Sequence, residues 1–485
     1  MARISLLGGG YNSRSLIASA QRCLNLYPEA TPESTDPPTP VVHLPTPGLT
    51  NLVQPSGAAG VVRAVYRCTN GTRLVVVGTA VYCINIFNNA VQTITGAISA
   101  GTTPVSICDN GIIAVITTGG SDGYWLSIAQ TLGQLTTPTL NTISDPAFYG
   151  SHQTAFLDGW FCFVRPGTNQ FYLSPPYWTG TTAFDGTQIA SKTGGPDQIV
   201  AIAAVNGNLW LLGVQTTEVW YNSGAADFPF ERQPGVLIQH GIGAGWSVVA
   251  LDVNLLFIGR DMGGSMVAFM SEGYMLKRIS THALENLLTT VNFANNPDAI
   301  GMFYQQEGHT FVGWAFPSLN QTWVYDLATG QWHQRCWTDP ATGAESRHRM
   351  NCLSFWDTGV VVGDYSNGWI YFFDLNAYTD AGTPIKRLRG LPHIVSDSKR
   401  IAHSSLIVDM DVSQVAANSQ VSLRWSDDRG ATYGTPVTLS IQNSFSSLIL
   451  RRLGIARDRV YELSWSFAYP TSLQGVWLEA EKAET

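Results

Sequence analysis

Short apolar runs alternate with tight polar turns along most of this chain, and the combination recurs at about fifty-residue spacing. The turns are Asn70-Gly71, Asp109-Asn110-Gly111, Asp158-Gly159 and Asn206-Gly207, followed by looser copies at Asp252-Val253-Asn254, Glu307-Gly308 and Asp357-Thr358-Gly359. Each leads into a strand-like run: Leu74 to Val77, Ile112 to Ile116, Trp160 to Val164, Leu209 to Leu212, Leu255 to Ile258, Thr310 to Trp314 and Val360 to Val362. Asn-Gly and Asp-Gly favour tight hairpins because they tolerate positive φ. A repeat of this length, made of short strands and hairpins, predicts an all-β fold, a β-propeller of six or seven blades with seven favoured. One blade cannot bury both its faces, whereas a ring of blades covers them and leaves only short edges.

Three segments follow from the pattern. Residues 1–47 predict an N-terminal arm, because Pro28, Pro32, Pro37, Pro38, Pro40, Pro45 and Pro47 crowd into one stretch unsuited to helix or central strand. Its anchor of Leu24, Leu26 and Tyr27 suggests docking, for instance across a neighbouring subunit. Residues 48–380 hold the propeller repeat, decorated by a helix within 281–291, where Ala283, Leu284, Leu287 and Leu288 fall at helical spacing. Residues 381–485 return to strict alternation at Ser404-Leu406-Val408-Met410, Val421-Leu423-Trp425 and Tyr461-Leu463-Trp465-Phe467, predicting a small antiparallel β-sandwich.

Charge refines the picture. The net charge of −8 argues against a chain whose main task is gripping phosphates. Between Leu74 and Gly259 the cations are Arg165, Lys192 and Arg232, whereas eleven fall between Lys386 and Arg459, nine of them arginine. Arginine suits ordered pairing. The candidate subunit or partner interface is therefore Arg22, Leu24, Leu26, Tyr27, Arg387, Arg389, Arg451, Arg452, Arg457 and Arg459, with a solvated basic surface as the plainer reading. No run approaches the ~18 apolar residues of a membrane span, and Met1 to Tyr11 does not read as a signal peptide, so neither membrane insertion nor export is expected. Seven widely spaced cysteines without Cys-x-x-Cys read as small buried hydrophobes.

Chemistry is scarce. Ser426-Asp427-Asp428-Arg429-Gly430-Ala431-Thr432-Tyr433 fits the Asp-box of sialidase-like propellers, where the motif is a structural hairpin. A glycosidase would need paired carboxylates, and nothing pairs Asp122, Asp185, Asp227 or Asp261. His282-x-x-Glu285 and Arg347-His348-Arg349 fall short of the three or four ligands of a metal site. No nucleophile elbow or phosphate loop occurs. No catalytic residue, cofactor or metal is expected. A glycan-binding or glycan-cleaving propeller is the alternative, and a cellular adaptor propeller a third.

Two end segments bear a family likeness. Ala20-Gln21-Arg22-Cys23-Leu24-Asn25-Leu26-Tyr27-Pro28-Glu29 precedes the proline-rich stretch and Leu44-Pro45-Thr46-Pro47-Gly48-Leu49. Near the other end stand Leu423 to Asp428 and Arg451 to Leu463. With the repeat between them, the chain resembles the packaged-DNA stabilization proteins of short-tailed bacteriophages. The resemblance implies a structural tail protein, a hub or nozzle below portal and head-to-tail adaptor. It implies six copies ringing the DNA channel, retention of packaged genome, attachment of a tail fibre or tailspike, and contact with a needle or plug protein. It implies DNA passing without specific binding, assembly in the bacterial host cytoplasm and a place in the virion tail.

Overall fold

The computed structural model describes residues 2–11, 13–16, 18–30, 41–55, 60–291, 298–397, 399–416, 418–441 and 447–482. Its strands form seven four-stranded antiparallel blades plus a two-sheet sandwich. The first strands of successive blades run Val62–Arg67, Ser106–Asp109, Thr154–Leu157, Ile199–Val205, Val249–Leu251, Ile300–Gln306 and Met350–Trp356. Each touches the next, and the seventh touches the first, which closes the ring. All seven turns picked out by the repeat join the first and second strands of a blade. Three of them, Asp158-Gly159, Asn206-Gly207 and Glu307-Gly308, place both residues at positive φ, which is the backbone that matches the strand twist of a two-residue hairpin.

Side-chain alternation assembles the ring. In the second strand of blade 2, Ala114 and Ile116 pack toward blade 1 with Leu74, Val76 and Val81. The interleaved Ile113 and Val115 pack toward blade 3 with Phe161 and Phe163. A period of two thus feeds two cores from one strand. The same layering continues through the remaining interfaces to the seventh, where Val361 and Ile370 meet Val75 and Val77. The inner strands surround an axial cavity of about 330 Å³, lined by Val65, Ile107, Val249, Met302 and Leu353. The helix His282–Leu288, capped by Thr281, seals Leu284 and Leu288 against blades 5 and 6.

The chain's early residues complete what its late residues begin. Blade 7 takes its first three strands from residues 350–374, and its fourth is Gly48–Val53, antiparallel to Ile370–Asp374. Ahead of it, Ala2–Ser5, Leu26–Ala30 and Val41–Pro45 join the sandwich sheet that holds Ser472–Lys482, Ile401–Asp411 and Leu448–Ala456. Cys23–Leu24 inserts between Trp332–Thr338 of blade 6 and Lys386–Gly390, so blade 6 and the second sandwich sheet are one continuous sheet. The described strands of 1–47 thus lie in the chain's own sheets. Pro32, Pro37, Pro38 and Pro40 lie outside the described residues.

All seven cysteines are free thiols, six of them buried. Burial pushes Cys108 up to about 12 and Cys83 up to about 11, the setting of inert packing residues.

Candidate functional site: a buried junction and an exposed arginine edge

The sequence-selected interface residues divide sharply. Leu26 faces the sandwich core and Tyr27 the core between blades 6 and 7, while Leu24 packs with Cys336 and Leu388. Tyr27 also donates its hydroxyl to Glu307 (3.0 Å). Arg387, Arg389 and Arg459 are buried as well. Arg389 donates to the carbonyls of Gly8 (2.8 Å) and Gly9 (3.1 Å), and Arg459 pairs with Asp427 (2.5 Å). These six residues therefore hold one chain together, a correction to their expected place at a partner surface. Arg22 is half-buried and bonded to Glu345 (2.8 Å), which also takes Lys386 (2.8 Å). Arg451, Arg452 and Arg457 alone of the ten are exposed.

The junction between propeller and sandwich contains polar groups that the sequence reading did not select. Asn25, at φ 53, accepts from the Cys336 amide (3.0 Å) and donates to the carbonyls of Cys336 (3.0 Å) and Lys386 (2.8 Å). It ties the last strand of blade 6 to the sandwich. A polar residue between Leu24 and Leu26 was the available signal. Beside it, buried Arg335 donates to the Pro47 carbonyl (2.7 Å) and stacks over Phe373 (4.9 Å). His348, central to the Arg347-His348-Arg349 cluster, lies 3.2 Å from Arg335 and 3.8 Å from Asp380. Burial holds His348 neutral, reinforced by Arg335 and Arg349. Burial pushes Asp380 up to about 6, opposed by Arg335, Arg387 and Arg349, and it pushes Arg387 down to about 10. The expense of burying these charges is offset by the cations and the anion facing one another.

The Asp-box is a turn staple. Asp428 accepts from Ser426 (2.6 Å), the Thr432 amide (2.8 Å) and the Thr432 hydroxyl (2.5 Å), and these bonds hold it down at about 2. Tyr433 lies under Arg424 (4.7 Å) rather than in a core. Glu285 takes Arg278 and Ser280, which uses it structurally. Of the blade cations, Lys192 is fully buried and donates to Asp197 (2.5 Å) and to Thr216. Among the described residues, no three His, Cys, Asp or Glu side chains gather as metal ligands, and no helix is long and apolar enough to cross a membrane. A cleft of about 570 Å³ lies between the loop bearing Tyr11 and Arg14, the helix, and Trp323 of blade 6.

Against known proteins, the model of the Phage_stabilise family, described as bacteriophage P22 Gp10, β-propeller, matches residues 5–378. That span takes in the sandwich strands Leu26–Ala30 and Val41–Pro45 and the whole ring. The chain belongs to this family. As a Phage_stabilise protein it is a phage structural protein of the DNA-stabilization type, a component of the virion, and its propeller is the fold the family description names. No curated protein matches it. Similar solved structures include the extracellular domain of a B. thetaiotaomicron one-component system (10% identity, TM-score 0.41, 84% of this chain and 48% of that one). This chain thus spans about half the length of that relative. Others are a chain of a mitotic checkpoint complex (9%, TM-score 0.40, 71% and 97%) and the WD40 domain of Toxoplasma gondii coronin (8%, TM-score 0.40, 72% and 85%).

Proposed function

We propose that this Phage_stabilise protein is the hub or nozzle subunit of a short, non-contractile phage tail. Six copies would ring the DNA channel beneath the portal and head-to-tail adaptor, retain the packaged genome, anchor fibres or tailspikes and meet a needle or plug protein. The observation that carries the reading is the family match over residues 5–378, which spans the closed ring. The physical features agree with it. A ring whose chain ends are woven into one sheet transmits load without a flexible linker between propeller and sandwich. Blades poor in exposed cations would not hold DNA by phosphate neutralisation, so the duplex would slide. The Asp-box carboxylate is consumed by its own turn, so that motif lends no support to a glycan-cleaving alternative. Assembly would take place in the bacterial cytoplasm.

Electron cryomicroscopy of purified particles tests the assignment. Density for this chain is expected as a six-membered ring between adaptor and tail tip. Location in the capsid shell, or a single copy off the tail axis, would refute it.

A further inference from the structure

In an antiparallel blade, the turn between strands one and two and the connection between strands three and four emerge on the same face of the ring. On this turn face the chain exposes Phe87 (74%), Leu132 (83%), Tyr177 (75%) and Met275 (77%), with Ile112 and Val253 beside other turns. The connections are physically linked: Asn85 donates to the Leu132 carbonyl (2.9 Å) and Asn110 to that of Trp178 (2.7 Å). Scattered exposed apolar groups are ordinary, but a concentration of large ones on one face marks an interaction surface.

Across blades 3 and 4 the charge on that face is acidic. Asp158, Asp185, Asp227 and Asp252 are exposed in its turns across blades 3 to 5. Arg165, Lys192 and Arg232 all leave from the opposite face, after second or fourth strands. Across blades 2 to 4 the turn face therefore carries acids and apolar groups without a cation.

The complementary surface lies elsewhere on the same chain. Leu448–Ala456 is the last strand of its sandwich sheet, with one side paired to Ile401–Asp411 and the other unpaired among the described residues. It presents Ile449 and Ile455 together with Arg451 and Arg452, and Arg457 follows directly. These three arginines enter no ion pair among the described residues, whereas Arg424 and Arg459 of the same sandwich are paired. Arg452 at φ 61 and Gly454 at φ 82 put a bulge into the strand, which discourages open-ended sheet extension while leaving the side chains presented. The sandwich is joined at blade 6, across a seven-membered ring from blades 2 and 3, so the two surfaces are displaced from each other within one copy.

We infer that the Arg451–Arg457 edge of one copy docks on the acidic, apolar turn face of blades 2 to 4 of the next. Such a contact is heterologous, since different patches meet, and it closes into a ring when the rotation per copy permits. The inference rests on the ring reading above and supplies its subunit contact. Opposite charge fixes the pairing and the apolar groups supply the buried area.

Charge exchange tests it in assembled particles. One variant carries Arg451→Glu, Arg452→Glu and Arg457→Glu. A second carries Asp185→Lys and Asp227→Lys, positions without positive φ. A third combines both sets. Copies per particle are counted by quantitative mass spectrometry, and thermal unfolding verifies that each variant folds. Each single set is expected to lower incorporation by about tenfold, and the combined chain to recover to within about twofold of wild type. Wild-type incorporation by either single set, or failure of a folded combined variant to recover, overturns the contact. An Ile455→Asp variant gives a second reading of the same edge, with the same tenfold loss expected and normal incorporation counting against the contact. Absence of the unaltered chain from particles would overturn the tail reading itself, and the contact with it.

Discussion

A chain starting at Gln54 is expected to lose its single cooperative unfolding transition rather than yield a trimmed, stable propeller. The deletion removes Gly48–Val53, which is the fourth strand of blade 7, and with it Leu49, buried in the core that joins blades 6 and 7. Ile370–Asp374 then becomes a raw edge of Ile, Tyr and Phe residues, the type of surface that pairs with other chains. The same cut removes the sandwich strands Ala2–Ser5, Leu26–Ala30 and Val41–Pro45 and the Cys23–Leu24 splice. Two structures thus lose their closure together. Calorimetry on the truncated chain should show aggregation or a broad, low-enthalpy transition. A sharp transition near that of the full chain would mean that the early strands are dispensable and the closure argument is wrong.

Asn25→Ala is expected to be the most costly single substitution at the junction, at about 4 kcal/mol. Three groups lose their partner: the Cys336 amide and the carbonyls of Cys336 and Lys386, all reached by one side chain. Each buried group left without a partner costs about 1–3 kcal/mol. The left-handed backbone at φ 53 adds about 1 kcal/mol for alanine. Asn25→Gly removes the same hydrogen bonds but relaxes the backbone term, so it should recover about 1 kcal/mol of the loss. Urea unfolding of the three chains separates the two contributions. A loss below about 1 kcal/mol for Asn25→Ala would show that water replaces the side chain and that the junction is not held there.

The ring was legible in the sequence because its repeating unit is short and chemically marked. Asp158-Gly159 and Asn206-Gly207 announce hairpins through their backbone requirements alone, and the alternating apolar run after each turn fixes which strand follows. Even Glu307-Gly308, with an unremarkable first residue, adopts positive φ at both positions and joins the first two strands of blade 6. The closure was hidden for the opposite reason. Pairing of Gly48–Val53 with Ile370–Asp374 links segments far apart in sequence, and neither carries a local signature of its partner.

The arginines show the second limit. Charged side chains are rarely fully buried, so a cluster of them reads as surface. Arg387 and Arg389 lie instead inside the sheet that runs from blade 6 into the sandwich, where strand alternation turns them inward. Nothing in composition separates them from Arg451 and Arg452, which occupy a strand whose outer side is unpaired among the described residues. Topology makes that distinction. It also divides the arginines by task, one set uniting two sheets of a single copy and the other free to meet a second copy.

DNA retention measures the central claim most directly. Particles assembled without this chain are expected to package a full genome and then lose it, so that intact heads stain empty and infectivity falls by orders of magnitude, with restoration when the chain is supplied. Particles that lack the chain yet keep full genomes and infect normally would contradict the account.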